Sequence, residues 1–132
     1  MAPSRSRPPA PGDKSKRKRA EKAGRRAETL CGFWLRLKGY RILATRYRSP
    51  LGEIDIIAKR ANLIAAIEVK NRTNRADALL AIRPQQQNRI ARALESYAGH
   101  VGHQGDLRLD LMIVGKWYRI EHLKNAWHTE TR

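Results

Sequence analysis

Between Gly52 and Arg72 the sequence reads GEIDIIAKRANLIAAIEVKNR, two runs rich in Ile, Val and Ala with acids set inside them. The residue types and the turn signal between the runs predict a β-hairpin, with arms over Glu53–Ala58 and Leu63–Val69 flanking Lys59-Arg60-Ala61-Asn62. Asn62 is the residue expected to accept the positive φ of a tight turn. A two- or four-residue turn gives the same register, in which Asp55 faces Glu68 and Glu53 faces Lys70, because paired positions keep a constant sum along an antiparallel ladder. Alternation supports this pairing. One face then collects Ile54, Ile56, Ala58, Ala65, Ile67 and Val69, and a slip of one residue would scramble that set.

The opposite face carries Asp55, Glu68, Glu53 and Lys70 toward the open end. Like charges directly across a ladder destabilise it, so Asp55 against Glu68 calls for a compensating cation, either Lys70 or a divalent metal. The plainer alternative is a solvated hairpin with an ordinary Glu53–Lys70 cross-strand pair, which contributes about 0.2–1 kcal/mol. Against it, Asp55 and Glu68 stand among strongly apolar neighbours, where solvated charges are rarely placed.

Asp on one strand followed by Glu-x-Lys on the next resembles the metal-dependent nuclease core known as PD-(D/E)xK, with Ile54-Asp55 in place of Pro-Asp and Glu68-Val69-Lys70 intact. A longer series falls in the order of the YraN family of endonuclease-like proteins: Gly24-Arg25-Arg26-Ala27-Glu28, Gly39-Tyr40-Arg41-Ile42-Leu43, Gly52-Glu53-Ile54-Asp55, Glu68-Val69-Lys70-x-Arg72, Gln87-x-Arg89-Ile90 and His122-x-x-x-Ala126. That family is similar in fold to archaeal Holliday-junction resolvases. Asn71 stands where the family has Thr, and Gln86 where it has Lys. The resemblance implies Mg²⁺ or Mn²⁺ held by Asp55, Glu68 and the Val69 carbonyl, with Lys70 positioning a water or stabilising developing charge. It also implies Glu28 beside the metal, holding a second ion or a metal-bound water, and Gln87 orienting the attacking water or a phosphate. On their own, Glu28 reads equally as a solvated helix residue and Gln87 as an exposed residue at a helix start.

The 132 residues leave room for one domain, and Lys and Arg total 28 against 12 acids, a formal charge of +16. Residues 1–22 carry eight Lys or Arg and two acids, leaving +10 on the remainder. At least three acids of that remainder belong to the candidate site, so the rest of its surface is more basic still. A polyanion is the expected partner, nucleic acid and DNA first. An anionic membrane surface lacks the basic amphipathic helix with an aromatic face that would support it. Cys31 is the only cysteine, which excludes an internal disulfide and a cysteine-based zinc cage. With no apolar run of spanning length and no secretion signal, the expectation is a soluble, cytoplasmic protein.

Residues 1–19 are expected to be a disordered basic tail, with the domain over 20–132. Ala23, Ala27, Leu30, Cys31, Trp34 and Leu37 recur at helical spacing to Lys38, and Gly39 suits the residue after that helix. A strand over Arg41–Tyr47 precedes the hairpin. A polar loop with Arg72 and Arg75 follows it, placed to grip phosphates at the mouth of the site. A helix over Pro84–Ala98 comes next, with Ile90, Ala93, Leu94 and Tyr97 buried and Arg89 and Arg92 facing nucleic acid. His100 and His103 read as a solvent-exposed pair. Strands over Leu107–Val114 and Trp117–Leu123 close the chain, with Trp117, Tyr118 and Trp127 expected in core or edge packing. The fold expected is α/β, a restriction-endonuclease-like core in the order αβββαββ with a mixed central sheet flanked by helices.

Three functional readings stand at this point: a nuclease selective for DNA structure, a noncatalytic nucleic-acid-binding protein that keeps the nuclease fold, and a module making ribonucleoprotein contacts. The complete Asp55, Glu68, Lys70 set favours the first, since binding alone needs no opposed carboxylates. A resolvase-like reaction on two symmetric strands further implies a two-fold homodimer.

Overall fold

The computed structural model describes residues 11–127. In chain order the elements are α1 (Pro11–Leu37), β1 (Arg41–Ser49), β2 (Gly52–Arg60), β3 (Leu63–Asn71), α2 (Arg75–Leu80), α3 (Pro84–His100), β4 (Asp106–Val114) and β5 (Ile120–Leu123), with a 3₁₀ turn over Lys116–Tyr118. The sheet runs β1-β2-β3-β4-β5. Its neighbours are antiparallel except β3 and β4, which are parallel and joined by the crossover through α2 and α3. This is the mixed, restriction-endonuclease-like α/β architecture expected.

β3 is central and covered on both faces, which is why Ile64-Ala65-Ala66-Ile67 is an unbroken apolar run. One layer packs Ala27, Cys31 and Leu35 of α1 onto Ile56, Ala65 and Met112. The other packs Ile90, Ala93 and Leu94 of α3, with Ala78 and Ile82, onto Ile57, Ile64 and Leu111. α1 ends on two reversed bonds, Tyr40 N–H to the Leu35 carbonyl at 2.9 Å and Gly39 N–H to the Arg36 carbonyl at 3.0 Å, with Gly39 at φ 90. That is the Gly-terminated cap its sequence predicts.

Several expectations change. α1 starts at Pro11, so residues 11–19 are helical rather than disordered: Lys, Arg and Ala are good helix formers and nothing after Gly12 interrupts them. The remainder of the expected tail, residues 1–10, lies outside the described residues, as do residues 128–132 of the domain. Leu35 takes the buried position and Leu37 is 86% exposed. The hairpin turn is Ala61-Asn62, but the left-handed residue is Ala61 (φ 51), while the Asn62 carbonyl accepts the Asp106 N–H at 2.9 Å. The polar connection after β3 holds the short α2, capped by Asn74, whose side chain accepts the Asp77 N–H at 2.8 Å. His100 is exposed as expected, whereas His103 is half-buried, its Nε2 3.0 Å from the Asp106 carbonyl. Trp127 is buried, but Trp117 and Tyr118 precede β5 in the turn and stand in solvent. Among the described residues no helix is long and apolar enough to cross a membrane.

Gly52 fixes where β2 meets α3. A Cβ there would lie 2.9 Å from the Arg89 carbonyl oxygen and 3.0 Å from the Arg89 Cβ, so the strand approaches the helix backbone as only glycine allows. Gly52→Ala is expected to cost about 1–3 kcal/mol. Urea unfolding checks this, and a loss below about 0.5 kcal/mol, the range of an indifferent surface change, would contradict it.

Candidate active site

The β2–β3 ladder runs from Arg60↔Leu63 to Ile56↔Ile67 and stops there. Beyond it the Asp55 side chain becomes the acceptor: its Oδ2 takes the Val69 N–H at 2.8 Å. This carboxylate sits in the gap where the strands part, and the alternation of β2 breaks at the same point. Ile54, expected on the face of Ile56, packs instead in the α3 layer with Ile57. The hairpin register holds; the face of one residue does not.

Glu68 and Lys70 lie on the side of β3 that faces α3. Glu68 is 4% exposed. Its Oε2 accepts from Gln86 Nε2 at 2.9 Å and lies 3.8 Å from Lys70 Nζ. Burial pushes its pKa up to about 9, helped by the charge of Asp55 and a hydrogen bond shared with it, against the pull of Lys70. At neutral pH Glu68 therefore keeps its proton. The Glu53–Lys70 pair of the plainer reading is not formed: Glu53 reaches Arg48 at 3.6 Å, both well exposed, while Lys70 turns to Glu68.

Folded Glu68 keeps its proton to about 9, whereas an ordinary Glu releases it near 4.5. Between those values the folded state binds the extra proton, so stability is full below about pH 4.5 and declines as pH rises toward 9. Glu68→Gln removes that slope. In metal-free buffer at pH 8.5 the variant is expected to be more stable than the native protein by about 1–2 kcal/mol, with the gap closing at pH 5. Thermal melts at the two pH values test this, and a difference independent of pH would contradict it.

Glu28, on α1, lies across a cleft of about 370 Å³ from Asp55, its Oε1 3.5 Å from Arg46 Nε. Burial first and Asp55 second raise its pKa, against Arg46. Among the described residues no three His, Cys, Asp or Glu side chains gather around one point, so Glu28 forms the far wall while Asp55 and Glu68 make the close pair. Cys31 lines no reaction path: burial, then Asp55 and Glu28, push its thiol up to about 12, which keeps it an unreactive core residue.

The profile described as "Uncharacterised protein family UPF0102" matches residues 27–114. A "UPF0102 protein" of Caulobacter vibrioides (strain NA1000 / CB15N) is 46% identical over 110 residues, 82% of this chain and 88% of its own length. Another, from Erythrobacter litoralis (strain HTCC2594), is 42% identical over 113 residues, 85% of this chain and 97% of its own. The chain belongs to the UPF0102 family. This is the YraN family of the motifs above, and the matched span contains Glu28, Asp55, Glu68, Lys70 and Gln87.

Within this UPF0102 chain the remaining candidates divide. Gln87 turns away from the acids, its Nε2 donating to the Ile82 carbonyl at 3.1 Å. Its neighbour Gln86, which stands where the family has Lys, makes the contact with Glu68; helical phase decides between adjacent residues, and the sequence alone does not fix that phase. Arg89 lines a second cleft of about 490 Å³ together with Gln86 and the Ser49–Gly52 turn, and Arg92 is exposed one turn further along α3. Arg72 donates to the Asn71 carbonyl at 2.9 Å, and Arg75 is ion-paired with Glu121 of β5. These two open onto a third cleft, past the end of β3.

His122 and Asp110 form a buried tie. Asp110 is fully buried and accepts from Arg108 Nε and Nη2 at 2.8 Å each and from the Asn125 N–H at 2.9 Å, with His122 Nε2 at 2.8 Å. Arg108 also donates to the Tyr40 hydroxyl at 2.6 Å. The Ala126 N–H bonds to the Leu109 carbonyl at 2.8 Å, so the His122-x-x-x-Ala126 motif fastens the C-terminal segment to β4.

Proposed function

We propose that this UPF0102 chain is a Mg²⁺- or Mn²⁺-dependent endonuclease that hydrolyses phosphodiester bonds in DNA, branched DNA included. The observation that carries the reading is the buried Glu68 beside the half-buried Asp55, with the Lys70 ammonium 3.8 Å from Glu68. A fold gains nothing in stability from such a pair, because a carboxylate buried beside a second one ionises only with a cation to compensate it.

The donors fit a hard divalent ion. Glu68, which keeps a proton at neutral pH, would exchange it for metal charge beside Asp55, and the Val69 carbonyl would add a third oxygen from the same strand as Glu68. Such an ion supplies a lowered pKa for an attacking water and neutralisation of charge at the phosphate. The protein's own groups do the rest. Gln86 holds the Glu68 carboxylate in one orientation through its 2.9 Å bond. Lys70 presents a cation to the same space, where it can orient the nucleophile and stabilise charge on the non-bridging oxygens. The apolar wall of Ile54, Ile57 and Ile90 keeps water from the back of the pair, which strengthens each electrostatic contact. Arg89 and Arg92 would hold flanking phosphates, with Arg72 and Arg75 beyond them. Symmetric cleavage of a junction would need two copies about a two-fold axis.

Incubation with supercoiled plasmid, single-stranded DNA and a four-way junction tests the reading. Cleavage that requires Mn²⁺ or Mg²⁺ and stops on chelation is expected. Binding of all three DNAs without cleavage of any, with either metal, would leave a noncatalytic binding protein.

A further inference from the structure

The turn between β4 and β5 carries two adjacent exposed aromatic residues. Gly115 N–H bonds to the Arg119 carbonyl at 2.8 Å and Arg119 N–H to the Lys116 carbonyl at 3.2 Å, closing a tight loop. At its tip Trp117 is 96% exposed and Tyr118 63% exposed. Both lie in the left-handed region, at φ 59 and 56, which bulky side chains rarely adopt. The loop thus holds two large aromatic rings out of the core.

The charge around them is predominantly positive. Lys116 and Arg119 flank the pair, and Arg72 and Arg75 face Trp117 across a cleft of about 680 Å³. On its other side Trp117 borders a smaller cleft of about 330 Å³ with Arg26 of α1. Glu121 is the one acid on the rim, and Arg75 is paired with it. The location matters as much. Val114 pairs with Asn71, the residue after Lys70, and the Arg72 N–H bonds to the Val114 carbonyl at 3.2 Å. At about 3.3 Å per residue, the loop begins at Gly115, two residues or roughly two stacked-base spacings of about 3.4 Å past the level of Lys70.

We propose that Trp117, supported by Tyr118, is a stacking platform for an unpaired nucleobase, with Arg72, Lys116 and Arg119 holding the adjoining phosphates of a single strand. An exposed indole face between cations matches a nucleic-acid single strand, whose bases offer free π-faces and whose backbone offers the charge. A blunt duplex covers its base faces and leaves only its terminal pairs to stack. Single-strand binding needs only the loop; that it selects DNA with an unpaired arm as substrate rests on the endonuclease reading above.

The test separates the two. Binding to single-stranded DNA, to a duplex with a single-stranded arm and to a long blunt duplex is measured in chelator, with 2-aminopurine placed in the unpaired segment. Trp117→Ala is expected to weaken binding to the first two about ten-fold and to abolish the 2-aminopurine quenching, with duplex affinity unchanged and Trp117→Phe retaining most of both. Equal losses on all three DNAs, or none on any, would overturn the platform. So would unchanged DNA binding with lost binding to anionic phosphatidylserine vesicles, which would assign the aromatics to a membrane surface. The same proteins are then assayed with Mn²⁺. Selective loss of single-strand binding by Trp117→Ala, with a native protein that cleaves nothing, keeps the platform and rejects the nuclease. Cleavage by native protein, with Trp117→Ala binding every DNA as tightly, rejects the platform alone.

Discussion

Lys70→Ala is expected to leave a folded, DNA-binding protein whose divalent-dependent cleavage is slower by about 10²–10³-fold, the usual consequence of losing one preorganised charge at a reacting group. The variant should fold because the Lys70 side chain, 19% exposed, still reaches solvent and its partner Glu68 already holds a proton near neutral pH. The loss should appear in kcat rather than in affinity for DNA, since the flanking arginines proposed to bind phosphates are untouched. Gln86→Ala and Gln87→Ala supply an internal contrast. Gln86 donates to Glu68 and Gln87 to the Ile82 carbonyl, so the first should impair cleavage and the second should alter stability alone. Single-turnover cleavage with saturating protein reads all three. Activity of Lys70→Ala within about three-fold of native, well short of that loss, would remove Lys70 from the reaction.

Asp110→Ala should destabilise the protein by about 3–5 kcal/mol, because it leaves the Arg108 guanidinium without its counter-charge in a largely buried setting. Four donor contacts converge on this carboxylate, from Arg108, His122 and Asn125. Burial alone would raise the Asp110 pKa, but His122, Arg108 and the Asn125 amide more than offset it and hold it below the ordinary 3.8. The sign follows: the stabilisation is present above that ordinary value and is lost as pH falls through the lower folded one. Acid unfolding of the native protein should therefore steepen below about pH 3.8, a step absent from Asp110→Ala. Denaturant titration at pH 7 gives the magnitude. A loss under about 1 kcal/mol, near the average for an arbitrary substitution, would mean the network is incidental.

Much of this was legible before any coordinates. The hairpin register follows from a constant pairing sum and from one uniformly apolar face that a slip would scramble, so Asp55 and Glu68 could be brought together on paper. What escaped has local causes. Ile54 changes layer because one bond from the Val69 amide to Asp55 replaces the ladder, and alternation cannot register a substitution of side chain for backbone. α2 is too short for periodicity to reveal, although Asn74-x-x-Asp77 carries its capping signal. Trp117 and Tyr118 read as core because large aromatics are usually buried. The tight turn that holds them outward is visible only in its backbone angles.

The central claim, that Asp55 and Glu68 together seat one divalent ion, is tested most directly by calorimetric titration of the metal-free protein with Mn²⁺ at pH 7.5. One site per chain is expected, lost in both Asp55→Asn and Glu68→Gln and retained in Gln87→Ala. Binding of unchanged strength in Glu68→Gln, or no binding by native protein at millimolar Mn²⁺, would contradict it.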